Sequence, residues 1–269
     1  MRDQLSLRLE PDVPPLPNLP EGLRPMLPRA LADPFDSATH IFEPAWGGLR
    51  ALAYVGPAAS PGAGEVRVVD ADGRDVGARL PELAGMAVRL DARSAVLDGE
   101  LVAVDGSGRA DPAELARRIR GETGRPVAYL AFDLLHLDGR SLLSMPLHKR
   151  RDLLRRVLHP GDEVLAVPAI AAEGRALHEA AAAQGIAGVL ARQRTSPYLP
   201  GTKSRLWRFV AALPPTKEAV EAVAVEAVAA ELPAVKASRE EADRDPAAEA
   251  TAAAPVMALI SRLPLPFDD

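Results

Sequence analysis

Many short apolar strands interleaved with a few helices predict an α+β fold built on antiparallel sheets. Three observations carry that expectation. Asp-Gly pairs recur at Asp72-Gly73, Asp98-Gly99 and Asp138-Gly139, each a tight-turn signal between apolar runs. The strand-like runs outnumber the helical ones, and they do not alternate with helices as a parallel βαβ fold requires. No glycine-rich phosphate or dinucleotide loop of the usual spacing is present. Hydrophobic residues make up 48% of the 269 positions, enough for a sizeable core, while aromatics at 4% leave Leu, Val and Ala to fill most of it.

The elements follow in order. Residues 1–24 are proline-rich, with Pro11, Pro14, Pro15, Pro17 and Pro20, and read as an extended leader. Residues 41–55 (IFEPAWGGLRALAYV) look like a turn followed by a strand, and 65–69 (EVRVV) form a short strand ending in the Asp70-Ala71-Asp72-Gly73 turn. Pro81 starts a helix over 80–90. Residues 95–104 (AVLDGELVAV) are a strand pair or one strand bent at Asp98-Gly99. Asp111 caps a helix that runs through Arg120, with Pro112 at its first position. The apolar run 127–137 is a central strand, 146–157 a basic amphipathic helix, and 164–170 a strand. An Ala-rich helix over 174–184 and strands at 186–192 and 206–210 complete the body.

From about residue 213 the composition shifts to Ala, Glu, Val and Pro. Residues 217–232 can form an isolated helix, and the remainder reads as a largely disordered, low-complexity tail. The domain layout expected is therefore a leader (1–24), a body (25–212) and an acidic tail (213–269).

Composition narrows the chemistry. There is no cysteine, which excludes disulfides, thiolate metal sites and Cys nucleophiles and suits a reducing, cytoplasmic setting. The five histidines have no zinc-type spacing, and no apolar run is long enough to span a bilayer. Formal net charge is -5, concentrated in the tail; the body is close to neutral. Of 32 basic residues only four are lysines: Lys149, Lys203, Lys217 and Lys236. Arginine stays charged and cannot serve as a neutral amine nucleophile, so lysine chemistry is confined to those four positions.

The segments LDGELVAVD (97–105), AFDLLHLDGR (131–140), PLHKRRDLLRRVL (146–158) and SPYLPGTKSRLW (196–207), in this order and spacing, resemble the adenylation domain of ATP-dependent DNA ligases, particularly the bacterial repair ligases. The resemblance runs from about Pro25 to Ala211. It implies an ATP-grasp-like nucleotidyltransferase fold of antiparallel sheets flanked by helices. It also implies ATP and Mg as cofactors, and nicked duplex DNA as partner and substrate. Family ligases add an OB-fold after this domain; the 57 residues after Ala212 are too few and too Ala/Pro/Glu-rich for one, so no OB-fold domain is expected.

The resemblance also exposes what is missing. The family's nucleophile motif, Glu-x-Lys-x-Asp-Gly-x-Arg, is here Glu43-Pro44-Ala45-Trp46-Gly47-Gly48-Leu49-Arg50. Glu43, Gly48 and Arg50 match, but Ala45 stands at the nucleophile and Gly47 at the acid. The Ser-Arg-x-Gly turn has become Asp70-Ala71-Asp72-Gly73, without its arginine. Asp98-Gly99-Glu100 is intact, with Glu100 at the nucleotide-contacting and weakly metal-binding acid. Phe132 matches the ring that stacks on adenine. The Glu-Gly-x-x-x-Lys motif runs from Ala187 to Arg192, losing its metal carboxylate and exchanging its lysine for arginine. In the last motif, Trp-x-Lys-x-Lys, Phe209 and Ala211 replace both lysines.

The expected nucleotide-binding set is thus Glu43, Arg50, Glu100, Phe132 and Arg192, with no intact catalytic residue. The alternative is that these residues are structural remnants, with Phe132 in the core and Glu100 in a turn network. Lys203, Arg205 and Arg208, with Arg192, Arg194, Tyr198 and Trp207 nearby, form a basic cluster suited to DNA phosphate or to a solvated edge. Lys203 is either a substitute nucleophile or a solvated loop residue. Gln4, Leu5, Leu7 and Leu9 resemble a sliding-clamp docking peptide, in which alternate leucines fill an apolar groove; a disordered terminus is the alternative. Arg262 to Phe267 is a weaker look-alike. Two functions follow: a ligase-derived repair scaffold that no longer ligates, or an active ligase or nucleotidyltransferase using a substitute lysine or a partner.

Overall fold

Strand β6 (Val127–Leu137) is the apolar run foreseen as central, and it is buried along almost its whole length. Its alternating side chains serve two cores: Val127, Tyr129 and Ala131 face one, and Ala128, Leu130 and Phe132 the other. A strand buried on both faces reads as a continuous apolar run, which hides its period of two. The structure is a computed structural model that describes residues 14–106 and 108–212. The clamp-like segment with Gln4, Leu5, Leu7 and Leu9, the 217–232 helix, the acidic tail, the look-alike at 262–267, Lys217 and Lys236 lie outside the described residues.

Two sheets make up the body. One places β3 (Leu49–Val55) between β4 (Val66–Asp70) and β5 (Ala95–Ala103), with β5 beside β6, then β7 (Arg140–Ser141); β8 (Val164–Ala166) adds to β6 in parallel. The other runs β1 (Leu27–Ala30), β11 (Lys203–Ala211), β10 (Gly188–Gln193), β2 (Ser37–Ala45) and β9 (Ile170–Ala172). All pairs are antiparallel except β1 with β11 and β6 with β8. Three helices, α1 (Pro112–Ile119), α2 (Leu147–Val157) and α3 (Gly174–Gln184), flank them. Among the described residues no helix is long and apolar enough to cross a membrane.

Local chemistry accounts for the boundaries. Asp111 accepts from the Glu114 amide at 3.0 Å, capping α1 with Pro112 at its first turn. Asp138 and Gly139 take φ values of 45° and 79°, the left-handed pair a two-residue hairpin needs between β6 and β7. The Asp70 carboxylate accepts from the amides of Asp72 and Arg74 at 2.9 and 2.8 Å, closing the turn after β4.

Several elements differ from expectation for physical reasons. Residues 41–55 hold two strands, the end of β2 and all of β3, joined at Trp46-Gly47-Gly48, where Gly47 adopts φ 81° and the chain passes from one sheet to the other. The bent reading of 95–104 is the one adopted: β5 is a single strand whose register against β6 slips at Val96/Leu97 and Asp98/Gly99. The helix begun by Pro81 is a 3-10 helix, Pro81–Arg89. The strand foreseen over 164–170 divides at Pro168, which lacks an amide to donate; β8 stays with β6, whereas β9 joins β2. The last strand extends to 203–211, and β1 was not foreseen. Within residues 14–24, Leu19 and Leu23 pack on the cluster of Met26, Tyr54, Tyr198 and Trp207.

Candidate functional site

Cross-strand register brings the motif residues into one cleft. Ala45 on β2 lies opposite Gly188 on β10, which lies opposite Ala211 on β11. Two residues along each strand, Leu190 stands between Glu43 and Phe209. From the other sheet, Arg50 on β3 faces Glu100 on β5. Ala45, Glu43, Leu190, Phe209, Arg50 and Glu100, together with Pro28, Pro44, Gly48 and Phe132, line a cavity of about 120 Å3; Ala211 is exposed at the end of β11.

Glu100 closes the turn that holds Ala45. It accepts from the backbone amides of Trp46, at 3.3 Å, and Gly48. A Cβ at Gly48 would strike the Leu101 carbonyl, so the close approach of this turn to β5 requires glycine. Burial raises the Glu100 carboxyl above its ordinary value; the amide bonds and Arg50 oppose that shift. No ion pair to Glu100 forms among the described residues.

The cations bordering the cleft are already engaged. Arg50 grips both oxygens of the fully buried Asp98, at 2.6 and 2.7 Å. Tyr198 donates to the same carboxylate at 2.6 Å. Burial works against the charge on Arg50, but Asp98 outweighs it and raises the guanidinium pKa. Arg50 also sits 4.3 Å from the Phe132 ring centroid, and Arg192 5.0 Å from it. The ring is 6% exposed; both guanidinium groups also lie against Trp207, and Phe132 still lines the cavity.

Arg192, which the resemblance places on phosphate, is 0% exposed and turned into the protein. It donates to both oxygens of Glu43 at 2.7 Å, to Asp133 at 3.2 Å and to the Phe132 carbonyl at 2.7 Å. Arg151 reaches the same Glu43, the Phe132 carbonyl at 2.9 Å and the Val167 carbonyl at 2.7 Å. Arg150 chelates Asp133 at 2.8 Å through two nitrogens. Burial lowers the Arg151 guanidinium below its ordinary value, partly offset by Glu43. Glu43 and Asp133 thus anchor three arginines, linking the two sheets and α2. Buried charges persist only when paired in this way.

Sequence reading missed Arg150 and Arg151 as site-building residues. They belong to an amphipathic helix, and a basic run on a helix normally faces solvent. The available signal was their spacing: Leu147, Arg150, Arg151 and Leu154 fall at i, i+3, i+4 and i+7, the buried stripe of α2.

The remaining expected residues lie elsewhere. Lys203 and Arg205 are exposed at the start of β11 and Arg208 is half-buried beside β1. Burial and Arg208 together lower the His40 pKa. Lys203 is six residues along the strand from Phe209, about 20 Å, farther than a lysine side chain spans.

A family model for the ATP dependent DNA ligase domain matches residues 29–208. The chain belongs to the ATP-dependent DNA ligase family. A probable DNA ligase of Rhodococcus opacus is 37% identical over 150 residues, covering 54% of this chain and 30% of that protein. A multifunctional non-homologous end joining DNA repair protein LigD of Mycobacterium tuberculosis is 35% identical over 167 residues, 62% of this chain and 21% of its own. The chain thus spans less than a third of either relative. Among solved structures, mycobacterial DNA ligase D complexed with ATP and MES superposes with a TM-score of 0.59 at 30% identity, covering 70% of this chain and 60% of that one. The ligase domain of M. tuberculosis LigD gives 0.57 at 32% identity, covering 70% and 58%.

Against that family, the fit of ATP and Mg to this cleft is poor. Its lining holds two carboxylates and one guanidinium, the latter bound to Asp98. No lining side chain offers a free cation to a triphosphate. Among the described residues no group of three or more His, Asp or Glu is placed to hold a metal ion, and Glu100 already accepts from backbone amides.

Proposed function

We propose that this chain is a ligase-family adenylation domain that does not transfer nucleotide and acts in DNA repair as a binding or scaffolding module in the cytoplasm. One observation carries the reading: Ala45 lines the cleft where the family's lysine would attack, while the neighbouring arginines are consumed by internal ion pairs. A methyl group has no lone pair with which to attack an α-phosphate. The alternative, a substitute lysine, would have to act from Lys203, which is exposed at the start of β11.

DNA is the partner this reading retains. Lys203, Arg205 and Arg208 lie along one strand, and none of them forms an ion pair among the described residues. Such residues are free to displace counterions from phosphate. Docking on a sliding clamp rests on Gln4, Leu5, Leu7 and Leu9 alone, and is refuted if clamp pull-down survives Leu5→Ala with Leu7→Ala.

The test combines two assays on the full chain. After incubation with α-labelled ATP and magnesium, a denaturing gel is expected to show no protein-bound label. A labelled band abolished by Lys203→Ala would establish the substitute-lysine reading. A nicked duplex is expected to shift in a native gel in a salt-sensitive manner; absence of any shift removes the scaffold role.

A further inference from the structure

Of the residues replaced relative to the family motifs, Ala45 and Phe209 line one end of the cleft, with Leu190 on the strand between theirs. That end carries no free charge, because Glu43 opposite Leu190 is paired with Arg192. The other end keeps a polar group: Glu100, anchored by amides and without an ion pair among the described residues. Arg50 directly across from it is neutralised by Asp98, so no free positive charge faces the cavity.

Low-dielectric, apolar walls penalise an anion that finds no compensating cation. Three phosphates placed against Ala45, Leu190 and Phe209 would lose their hydration and gain no ion pair. A hydroxyl or amine placed against Glu100 meets an acceptor fixed in position by two backbone amides. The lining of Pro28, Pro44, Phe132, Leu190 and Phe209 supplies the contact surface for an uncharged ring.

We infer that this cleft excludes polyphosphate and accepts an uncharged ligand that donates a hydrogen bond to Glu100, a nucleoside rather than a nucleotide. The inference rests on the reading above that no nucleotidyl transfer occurs. The ligand chemistry departs from that of the family, whose solved member was complexed with ATP.

Calorimetric titration of the full chain with adenosine, AMP and ATP tests this, with and without magnesium. The expected order is adenosine tightest and ATP weakest, each added phosphate weakening binding about fivefold. ATP binding as tightly as adenosine overturns the inference, and so does failure of adenosine to bind. Either result leaves the loss of nucleotidyl transfer standing, because that fails only if a covalent adduct forms. Glu100→Gln is expected to weaken adenosine binding, with a melting curve confirming that the turn still folds. Phe209→Lys, on the half-buried wall, supplies the independent arm: it should raise ATP affinity about fivefold relative to adenosine. An unchanged ratio contradicts the claim that missing charge at this end sets the selectivity.

Discussion

Arg192 clasps Glu43 through two hydrogen bonds of 2.7 Å, one to each carboxylate oxygen, and both residues are buried. In sequence, Arg192 looks like a conservative exchange for a phosphate-binding lysine. In the fold its charge is spent inside the protein, alongside Arg150, Arg151 and Asp133. The network is architecture: it ties β10 and β2 to β6 and α2.

Removing one member of that network should therefore cost stability rather than ligand affinity. Arg192→Ala leaves Glu43 with Arg151 and Asp133 with Arg150 only. A loss of about 3 kcal/mol is expected, the usual scale for breaking a buried pair, read as a lower midpoint in chemical denaturation. A loss within experimental error of zero would show that the network is dispensable.

Glu100 gives a pH signature. Its carboxyl is raised above its ordinary value of 4.5 by burial, so between those two values the folded state holds more proton than the unfolded state. Stability contributed by this group is greatest below 4.5 and falls as pH rises through the folded pKa. Glu100→Gln should flatten that part of the stability–pH profile. A variant whose profile overlays the parent's as pH rises from 4.5 would refute the assignment.

The basic end of β11 is open to a salt-dependence measurement. Lys203→Ala and Arg205→Ala should each weaken binding to nicked duplex at all sequences and reduce the logarithmic salt slope by about one. Unchanged slopes would identify these residues as a solvated edge.

Capping of α1 offers a local check on the fold. Asp111→Ala should destabilise the protein by about 1 kcal/mol, the typical loss for an N-cap side chain, with its bond to Arg125 also lost. An unaltered denaturation midpoint would show that the cap contributes nothing.

The elements that sequence predicted well are those set by local chemistry. Asp111-Pro112 starts α1, Asp138-Gly139 turns β6 into β7, and the Ala-rich segment 174–184 is α3. The misses are non-local. Four residues of β1 gain strand identity only by pairing with β11, more than 170 positions away in the chain. The split at Pro168 depends on which sheet each half can reach. At the site, that Ala45 and Phe209 carry no amine was legible because the atoms of a side chain can be read without knowing its partners. The fate of Arg192 was not, since its partners lie 149 and 59 residues away. Whether a retained charge faces ligand or protein is decided by packing.

Intact-mass measurement of the full chain after incubation with ATP and magnesium tests the central claim most directly, with Ala45→Lys run beside it. Neither protein should gain the mass of an AMP group, because restoring the amine alone leaves Ala187, Phe209 and Ala211 unable to hold metal or phosphate. An AMP adduct on the unaltered chain would contradict the account.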